Sequence, residues 1–481
     1  MTPVFTLFLI IFLEGYVVLS TELLAIRLLL PFTGSGTDTV SIIIAAVLMP
    51  LACGYFIGGR FKARKKKGKR TFTVRDRLIL NLVIAAAILT PGLSYTFLEI
   101  AFDWGYHTAG WNNRIWLTAI YSLLFLVTPV FLLGQTVPLI SNYFSKTRLP
   151  VLAGRILFFS TMGSFVGAVF CTLVLMSFLG VNNTVIITIG CMTALTFMLS
   201  KKKISLPTVL VSLCLVLSIG LNSPAAMKHF DIVKYNKYNL IQIRNAEKEQ
   251  IRVLEINHSF ASAVHDLSPT PIVLYVSYIE NNFLNPLYDP ERPPREILVL
   301  GAGGFTMGRF DDLNNYTFVD IDKDLKEIAE EKFLKEELGA NKKFIPMEAR
   351  AYLNQTQKKY DLIILDLYRD PISVPEYLIT QEFFEQVKGR LKKGGVIAGN
   401  YFASASFSDT YSKKLDNTLR SVYPYINRQI IRDYDPWDRT DDWRNIIYSY
   451  TDNGTAQNGI YTDNKNTSLF DKPPILRGTI K

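Results

Sequence analysis

Two patterns divide this chain. Up to residue 221 apolar residues run almost unbroken, whereas beyond it short apolar runs alternate with charged and turn-forming residues. The runs near 4–30, 39–59, 78–100, 115–144, 156–180, 184–200 and 204–221 approach the length of about 20 apolar residues that a bilayer crossing needs. Residues 1–221 therefore read as an N-terminal polytopic α-helical membrane domain of six or seven spans. The run 115–144 contains Pro129 and Pro138, and its end, Leu133-Gly134-Gln135-Thr136-Val137-Pro138, is a candidate for local unwinding. Gly163-Ser164 and Gly167-Ala168 put small residues four apart on one helix face, which suits close packing.

Past residue 221 the pattern becomes that of a water-soluble α/β domain. Segments 222–290 read as a linker and a small β element, with strand-like alternation over Leu240–Arg244 and Ile251–Ile256. Residues 291–481 open on Ile297-Leu298-Val299-Leu300, a run that fits a strand buried on both faces of a parallel sheet. Gly301-Ala302-Gly303-Gly304 follows, and glycines there let the backbone turn tightly and approach a ligand. Thr317-Phe318-Val319 then delivers Asp320, nineteen positions after Gly301, where an acid accepts hydrogen bonds from ribose hydroxyls. Strand, turn and acid together make a nucleoside-binding βαβ unit. An amphipathic helix after Asp322 is expected to carry Leu325, Ile328, Ala329 and Leu338 on one face and to end at Gly339. A third strand, Phe344–Met347, leads to Glu348, and Tyr360–Leu365 leads to Asp366-Leu367-Tyr368-Arg369-Asp370-Pro371. Thr380 caps a helix running through Leu391, and Val396–Ala398 forms a further strand. Beyond Asn400 there is strand and loop material; Asp435-Pro436-Trp437 stands out without forming a motif.

Charge and cysteine content refine this division. The net charge of +10 is concentrated in the short basic run Lys62 to Arg77, so membrane orientation accounts for it without nucleic acid. Lys62, Arg64, Lys65, Lys66, Lys67, Lys69 and Arg70, together with Lys201-Lys202-Lys203, place those loops in the cytoplasm, opposite an aromatic belt of Trp104, Tyr106, Trp111 and Trp116. Basic residues on both sides of 204–221, its 18-residue length and Pro207 argue against a full seventh crossing. The expected location is the cell (inner) membrane, multi-pass, with the C-terminal domain cytoplasmic; a seventh full span would put that domain outside. The N-terminus lacks the basic n-region of a cleavable signal. Cys53, Cys171, Cys191 and Cys214 all lie in apolar runs without metal-ligand spacing, so they read as small hydrophobes and no metal is expected.

Two sets of residues invite chemistry. Glu14, Glu22 and Arg27 lie within the first apolar run, where ionisable groups are costly and are candidates for function or for simple mutual satisfaction. Asp366 and Asp370, beside the nucleoside unit, are placed to bind a cationic amine and accept its proton as the nitrogen attacks. Glu348, with Ala349 and Arg350, would sit near the base half of a bound nucleoside, or Glu348 is a surface acid in a loop.

The segments LVLGAGG, VDID, EARAYL, YDLIILDLYRDP and VPEYLITQEFF, in this order between Tyr238 and Phe402, resemble the spermidine synthase (polyamine aminopropyltransferase) family. LSTELLAIRLL, Gly58-Gly59-Arg60, LLGQTVPLIS and AGRILFFSTMGSFVGA resemble its integral-membrane branch. The resemblance implies a Rossmann-like fold of the S-adenosylmethionine-dependent methyltransferase type with a small N-terminal β element. It also implies S-adenosylmethionine or its decarboxylated form as substrate, an amine acceptor, methylthioadenosine as product, contact with membrane lipid and a homo-oligomer. It places Gly301, Gly303, Gly304, Asp320, Glu348 and Ala349 at the nucleoside, Asp366 and Asp370 at the reaction centre, and Tyr368, Arg369, Tyr275 and Gln242 at the substrate.

This chain departs from the family at several points. Phe305 stands where an aspartate is usual, and the paired acids are four apart instead of three. Ala261 replaces a glutamine, and Ser268-Pro269-Thr270-Pro271 has no diamine-binding acids. Arg369, between the two acids, could receive the carboxylate of intact S-adenosylmethionine, or could pair with Asp366 or Asp370, or face solvent. Three readings follow: aminopropyl transfer to an amine, cleavage or cyclisation of intact S-adenosylmethionine without a diamine, and a polyamine transporter or sensor with a nucleoside-binding regulatory domain.

Overall fold

The computed structural model describes residues 4–34, 36–61, 72–110, 113–141, 149–246, 250–266, 271–368, 374–423, 426–431 and 442–450. The basic run Lys62–Arg70, Trp111, Ser268-Pro269-Thr270, Arg369, Asp370 and Asp435-Pro436-Trp437 lie outside the described residues. The chain forms two compact units, one ending at Lys237 and the other beginning at Tyr238.

The first unit is built from apolar helices: α1 (Val4–Thr33), α2 (Thr37–Gly59), α3 (Val74–Gly92), α4 (Tyr95–Ala109), α5 (Arg114–Ser141), α6 (Leu149–Phe170), α7 (Gly180–Leu199) and α8 (Leu206–Leu221). Among the described residues, Val4–Thr33, Thr37–Gly59, Arg114–Ser141 and Val151–Leu199 are long and apolar enough to cross a membrane. The last of these is 49 residues, roughly 70 Å if straight and more than twice the hydrocarbon thickness. It contains the two expected runs 156–180 and 184–200, separated where Gly180 adopts φ +81°.

The run 78–100 is not a straight helix, because α3 and α4 meet at a 65° bend. Pro91 and Gly92 end α3, and the Ser94 hydroxyl restarts the chain by accepting the Phe97 N–H. The segment 206–221 is an apolar helix of 16 residues, shorter than the other candidates.

Glycines set the closest contacts in this unit. A Cβ on Gly163 would collide with the Phe12 carbonyl, and one on Gly167 would lie 2.5 Å from the Tyr16 carbonyl. The small residues spaced along α6 therefore do bring its backbone against α1, the arrangement their spacing implied. Gly54 on α2 abuts the Phe131 carbonyl, and a Cβ on Gly134 would lie 2.8 Å from the Leu51 carbonyl. Next to that contact α5 breaks at Gln135, between Thr128–Gly134 and Thr136–Ser141. The anticipated unwinding is thus a single-residue interruption. Asn81 Nδ2 donates to the Leu132 carbonyl at 3.0 Å and to Gln135 Oε1 at 3.2 Å, and Arg77 Nε donates to the same Gln135 oxygen at 3.2 Å.

Arg27 has a structural task in this unit. Its Nε donates to the Asn236 carbonyl at 2.9 Å, its guanidinium lies 4.8 Å from the Tyr235 ring centroid, and the Tyr235 hydroxyl donates to the Arg27 carbonyl.

The second unit starts with three antiparallel strands, β1 (Leu240–Ala246), β2 (Ile251–Ile256) and β3 (Ser259–His265). A seven-stranded sheet follows: β4 (Glu296–Leu300), β5 (Asn315–Asp320), β6 (Lys342–Pro346), β7 (Tyr360–Leu365), β8 (Leu391–Ser404), β9 (Ile426–Ile430) and β10 (Trp443–Tyr450), in the spatial order β9-β10-β8-β7-β4-β5-β6. Strands β4 to β8 run parallel, and β10 is antiparallel to both neighbours. This order is the Rossmann-like arrangement of methyltransferase-type domains. Ile297 to Leu300 are buried on both faces, as their unbroken apolar run required. The chain leaves β4 towards β5 and β6 on one side and returns through β7 to β8 on the other. The β4–β7 junction is therefore a topological switch point, where ligands of such sheets bind at the carboxyl ends of the strands.

The helix after Asp322 ends sooner than its pattern indicated. Leu325–Ile328 continues as a π-helical turn to Leu334 and stops at Lys335, which takes the left-handed φ of +58°. Phe333 and Leu334 fill the core in place of Leu338, and Gly339 lies beyond the cap.

Candidate active site

The site grows from the carboxyl ends of β4, β5 and β7. Gly301 leaves β4 with φ +92°, and its N–H donates to the Val319 carbonyl at 2.9 Å. A Cβ there would collide with the Asp366 carbonyl oxygen and lie 2.8 Å from its carbon. Gly303 takes φ +49°, and a Cβ on Gly304 would strike the Phe333 ring. The sequence assigned these glycines to close approach by a ligand. The structure adds a nearer cause at Gly301 and Gly304, where the protein itself fills the space that a side chain would need. The Gly304 N–H donates to the Ser262 hydroxyl at 3.0 Å, tying the turn to β3.

Phe305, at the place of the missing acid, adopts φ +57° and is fully buried. Its ring packs against Phe318 and Phe344, with centroids 5.1 and 5.3 Å away, so it pins the turn to the sheet. Asp320 holds the other side. One of its carboxylate oxygens accepts the Ala302 N–H and the other the Asp322 N–H, both at 3.0 Å. Burial outweighs these bonds and pushes the Asp320 carboxyl up to about 6.

At the end of β7, Asp366 receives two donors. The Tyr275 hydroxyl, from helix α9 (Leu274–Ile279), bonds one oxygen at 2.8 Å, and Asn400 Nδ2 from β8 bonds the other at 3.0 Å. Burial pushes the Asp366 carboxyl up to about 6, while the Asn400 and Tyr275 bonds pull it down. Burial and the neighbouring Asp366 charge push the Tyr275 phenol well above its ordinary range, which keeps it a neutral donor. The Tyr368 hydroxyl donates to the Asn400 backbone carbonyl at 3.3 Å. Tyr275 thus bonds Asp366 directly, and Asp366 and Tyr368 meet through Asn400, a residue that the sequence did not single out. Its only signal was a polar side chain following a run of apolar residues in a strand parallel to β7.

Glu348 and Ala349 follow the carboxyl end of β6, where the Met347 N–H donates to the Asp320 carbonyl at 2.8 Å. Glu348 caps helix α10 (Ala349–Gln355), accepting the Arg350 N–H at 3.0 Å and the Ala351 N–H at 2.7 Å. Each of its oxygens therefore already serves the helix, and Ala349 points its methyl into the core. Gln242 is buried on β1 opposite Glu255 of β2.

Comparison with known proteins places this geometry. Residues 286–432 match the family model described as the spermine/spermidine synthase domain. The chain is 34% identical over 142 residues to a polyamine aminopropyltransferase of Saccharolobus islandicus, covering 27% of this chain and 46% of that protein. It is 32% identical over 158 residues to polyamine aminopropyltransferase 2 of Hyperthermus butylicus, covering 30% of this chain and 51% of that protein. The chain spans about half the length of the curated relatives it matches. Among solved structures, a probable spermidine synthase from Corynebacterium glutamicum aligns with a TM-score of 0.38 at 22% identity, over 44% of this chain and 77% of that one. Residues 286–432, within the second unit, are thus similar to the spermine/spermidine synthase domain.

Proposed function

We propose that this protein is a membrane-anchored transferase that moves an aminopropyl group from decarboxylated S-adenosylmethionine to an amine and releases methylthioadenosine. The observation that carries this reading is Asp366, a carboxylate held by two donors at the switch point, beside the glycine turn. In this reading the turn at Gly301–Gly304 and the Asp320 carboxylate bind the nucleoside. Asp366 faces the methylene next to the sulfonium and holds the acceptor amine. The nitrogen lone pair attacks that carbon, the carbon–sulfur bond breaks, and its electron pair leaves on sulfur. The proton lost by the new ammonium passes to Asp366, which with a pKa of about 6 is mostly ionised at neutral pH. Most of the rate gain comes from aligning two bound reactants. The long apolar helices support anchorage in a membrane. The family resemblance and the matched relatives favour transfer over transport or sensing.

The test uses detergent-purified full-length protein with intact or decarboxylated S-adenosylmethionine, with and without putrescine, spermidine or related amines, and follows methylthioadenosine by mass spectrometry. Release that requires both the decarboxylated donor and an amine supports the proposal. Release from intact donor alone replaces it with a lyase reaction, and no release from any combination refutes it.

The hydrogen bond from Tyr275 predicts a pH signature. In Tyr275→Phe, Asp366 loses a donor that holds its carboxyl down, so its pKa rises above about 6. The acid limb of kcat/KM is then expected to move to higher pH. A merely packing role for Tyr275 would lower the rate without displacing that limb.

A further inference from the structure

Side chains from outside the glycine turn hold its backbone amides. Between Gly301 and Gly308 the backbone takes left-handed φ at Gly301, Gly303, Phe305 and Gly308. Such a stretch joins no ladder, and left loose it would have to be ordered by its ligand, at a cost in conformational entropy. Among the described residues, three side chains order it beforehand. The Ala302 N–H donates to Asp320 at 3.0 Å, the Gly304 N–H to Ser262 at 3.0 Å and the Gly308 N–H to Glu280 at 3.1 Å. Asp320 ends β5, Ser262 lies in β3, and Glu280 directly follows α9.

Glu280 comes five residues after Tyr275, whose hydroxyl bonds Asp366. One short helix therefore reaches both the acid at the end of β7 and the far end of the turn. That end has little room to shift, because a Cβ on Gly308 would strike the Tyr316 ring. Burial pushes the Glu280 carboxyl up to about 7, against the pull of the Gly308 N–H. A protonated carboxyl keeps an acceptor oxygen, so the bond can form on either side of neutrality. We propose that Ser262 and Glu280 are positioning residues for the nucleoside, holding the turn in its binding shape before the ligand arrives. This rests on the transferase reading of the site. Ordering the turn in advance spares the ligand that cost, so loss of either acceptor weakens nucleoside binding and leaves the reaction of bound donor unchanged.

The test titrates detergent-purified full-length protein calorimetrically with methylthioadenosine, alongside steady-state kinetics with decarboxylated S-adenosylmethionine and an amine. Glu280→Leu removes the acceptor at similar size and is expected to raise the dissociation constant about tenfold. The donor KM should rise with it, while kcat and the amine KM stay within about threefold of wild type. Glu280→Gln keeps an acceptor oxygen and should restore the dissociation constant to within about threefold of wild type. Ser262→Ala should weaken binding about fivefold, and it decides the matter if Glu280→Leu does not fold. A residue needed only for folding would instead lower kcat and the titration stoichiometry together, leaving the dissociation constant of the folded fraction unchanged. That result, or wild-type affinity in the folded variants, overturns the inference while the transferase reading stands. Wild-type protein that neither binds nor releases methylthioadenosine overturns the transferase reading, and the inference with it.

Discussion

Asp366→Asn is expected to lower methylthioadenosine formation by about 10²–10⁴-fold, the usual worth of a positioned proton acceptor. The substitution is nearly isosteric, so the sheet around β7 should survive it. Its effect on the hydrogen bonds is specific. Asp366 accepts from both Tyr275 and Asn400, and an amide has a single acceptor oxygen, so it can keep the Asn400 bond only by turning its N–H to the Tyr275 oxygen and reversing that bond. The charge that attracts the amine and receives its proton is lost at the same time. Binding of the nucleoside, through the Gly301 turn and Asp320, should persist. The measurement is therefore paired: steady-state turnover, together with calorimetric binding of methylthioadenosine. Turnover within about threefold of wild type would remove Asp366 from the reaction centre, because a general base is worth far more than that. Loss of both turnover and binding would mean that the carboxylate shapes the nucleoside pocket instead.

The second large effect is expected at Gly301. Gly301→Ala places a methyl group against the Asp366 carbonyl at a φ of +92°. The obstruction is backbone, held by the Asp366 N–H bond to the Leu300 carbonyl, so it cannot swing aside as a flexible side chain would. Strain and overpacking together should cost roughly 2–5 kcal/mol. Gly394→Ala provides the comparison, because Gly394 has φ +77° and nothing within 4 Å of its added Cβ. That change should cost only about 1–2 kcal/mol, from the left-handed backbone alone. Thermal unfolding of the two variants, read alongside methylthioadenosine binding, separates collision from strain. Equal losses would show that the β4–β7 contact tolerates a methyl group.

The doubly buried strands could be read directly from the chain, because runs such as Ile297–Leu300 and Tyr360–Leu365 have no polar face to hide. Asp320 and Asp366 were legible for the same reason, as each is an acid that directly follows or ends such a strand. Asn400 was not, since its role depends on β8 pairing with β7 across more than thirty residues of sequence, and no local pattern records that pairing. The end of the helix at Lys335 was missed because the apolar spacing continues beyond it; the left-handed cap falls on a lysine, which carries no stop signal. In the apolar unit, hydrophobicity located the helices but not the bend between α3 and α4. There the Pro91-Gly92 and Ser94 signals were present within a run whose overall apolarity hid them.

A Cβ on Gly301 would collide with the Asp366 carbonyl, so under the proposed function the shelf for the nucleoside and the acid at the reaction centre would be two sides of one rigid corner. Such a corner separates two kinds of evolutionary freedom. Under the proposed function, donor geometry would be set by the sheet, since altering either side displaces the other. Under the proposed function, acceptor choice would reside in the side chains that surround the corner, free to vary while the register between donor and acid stays fixed.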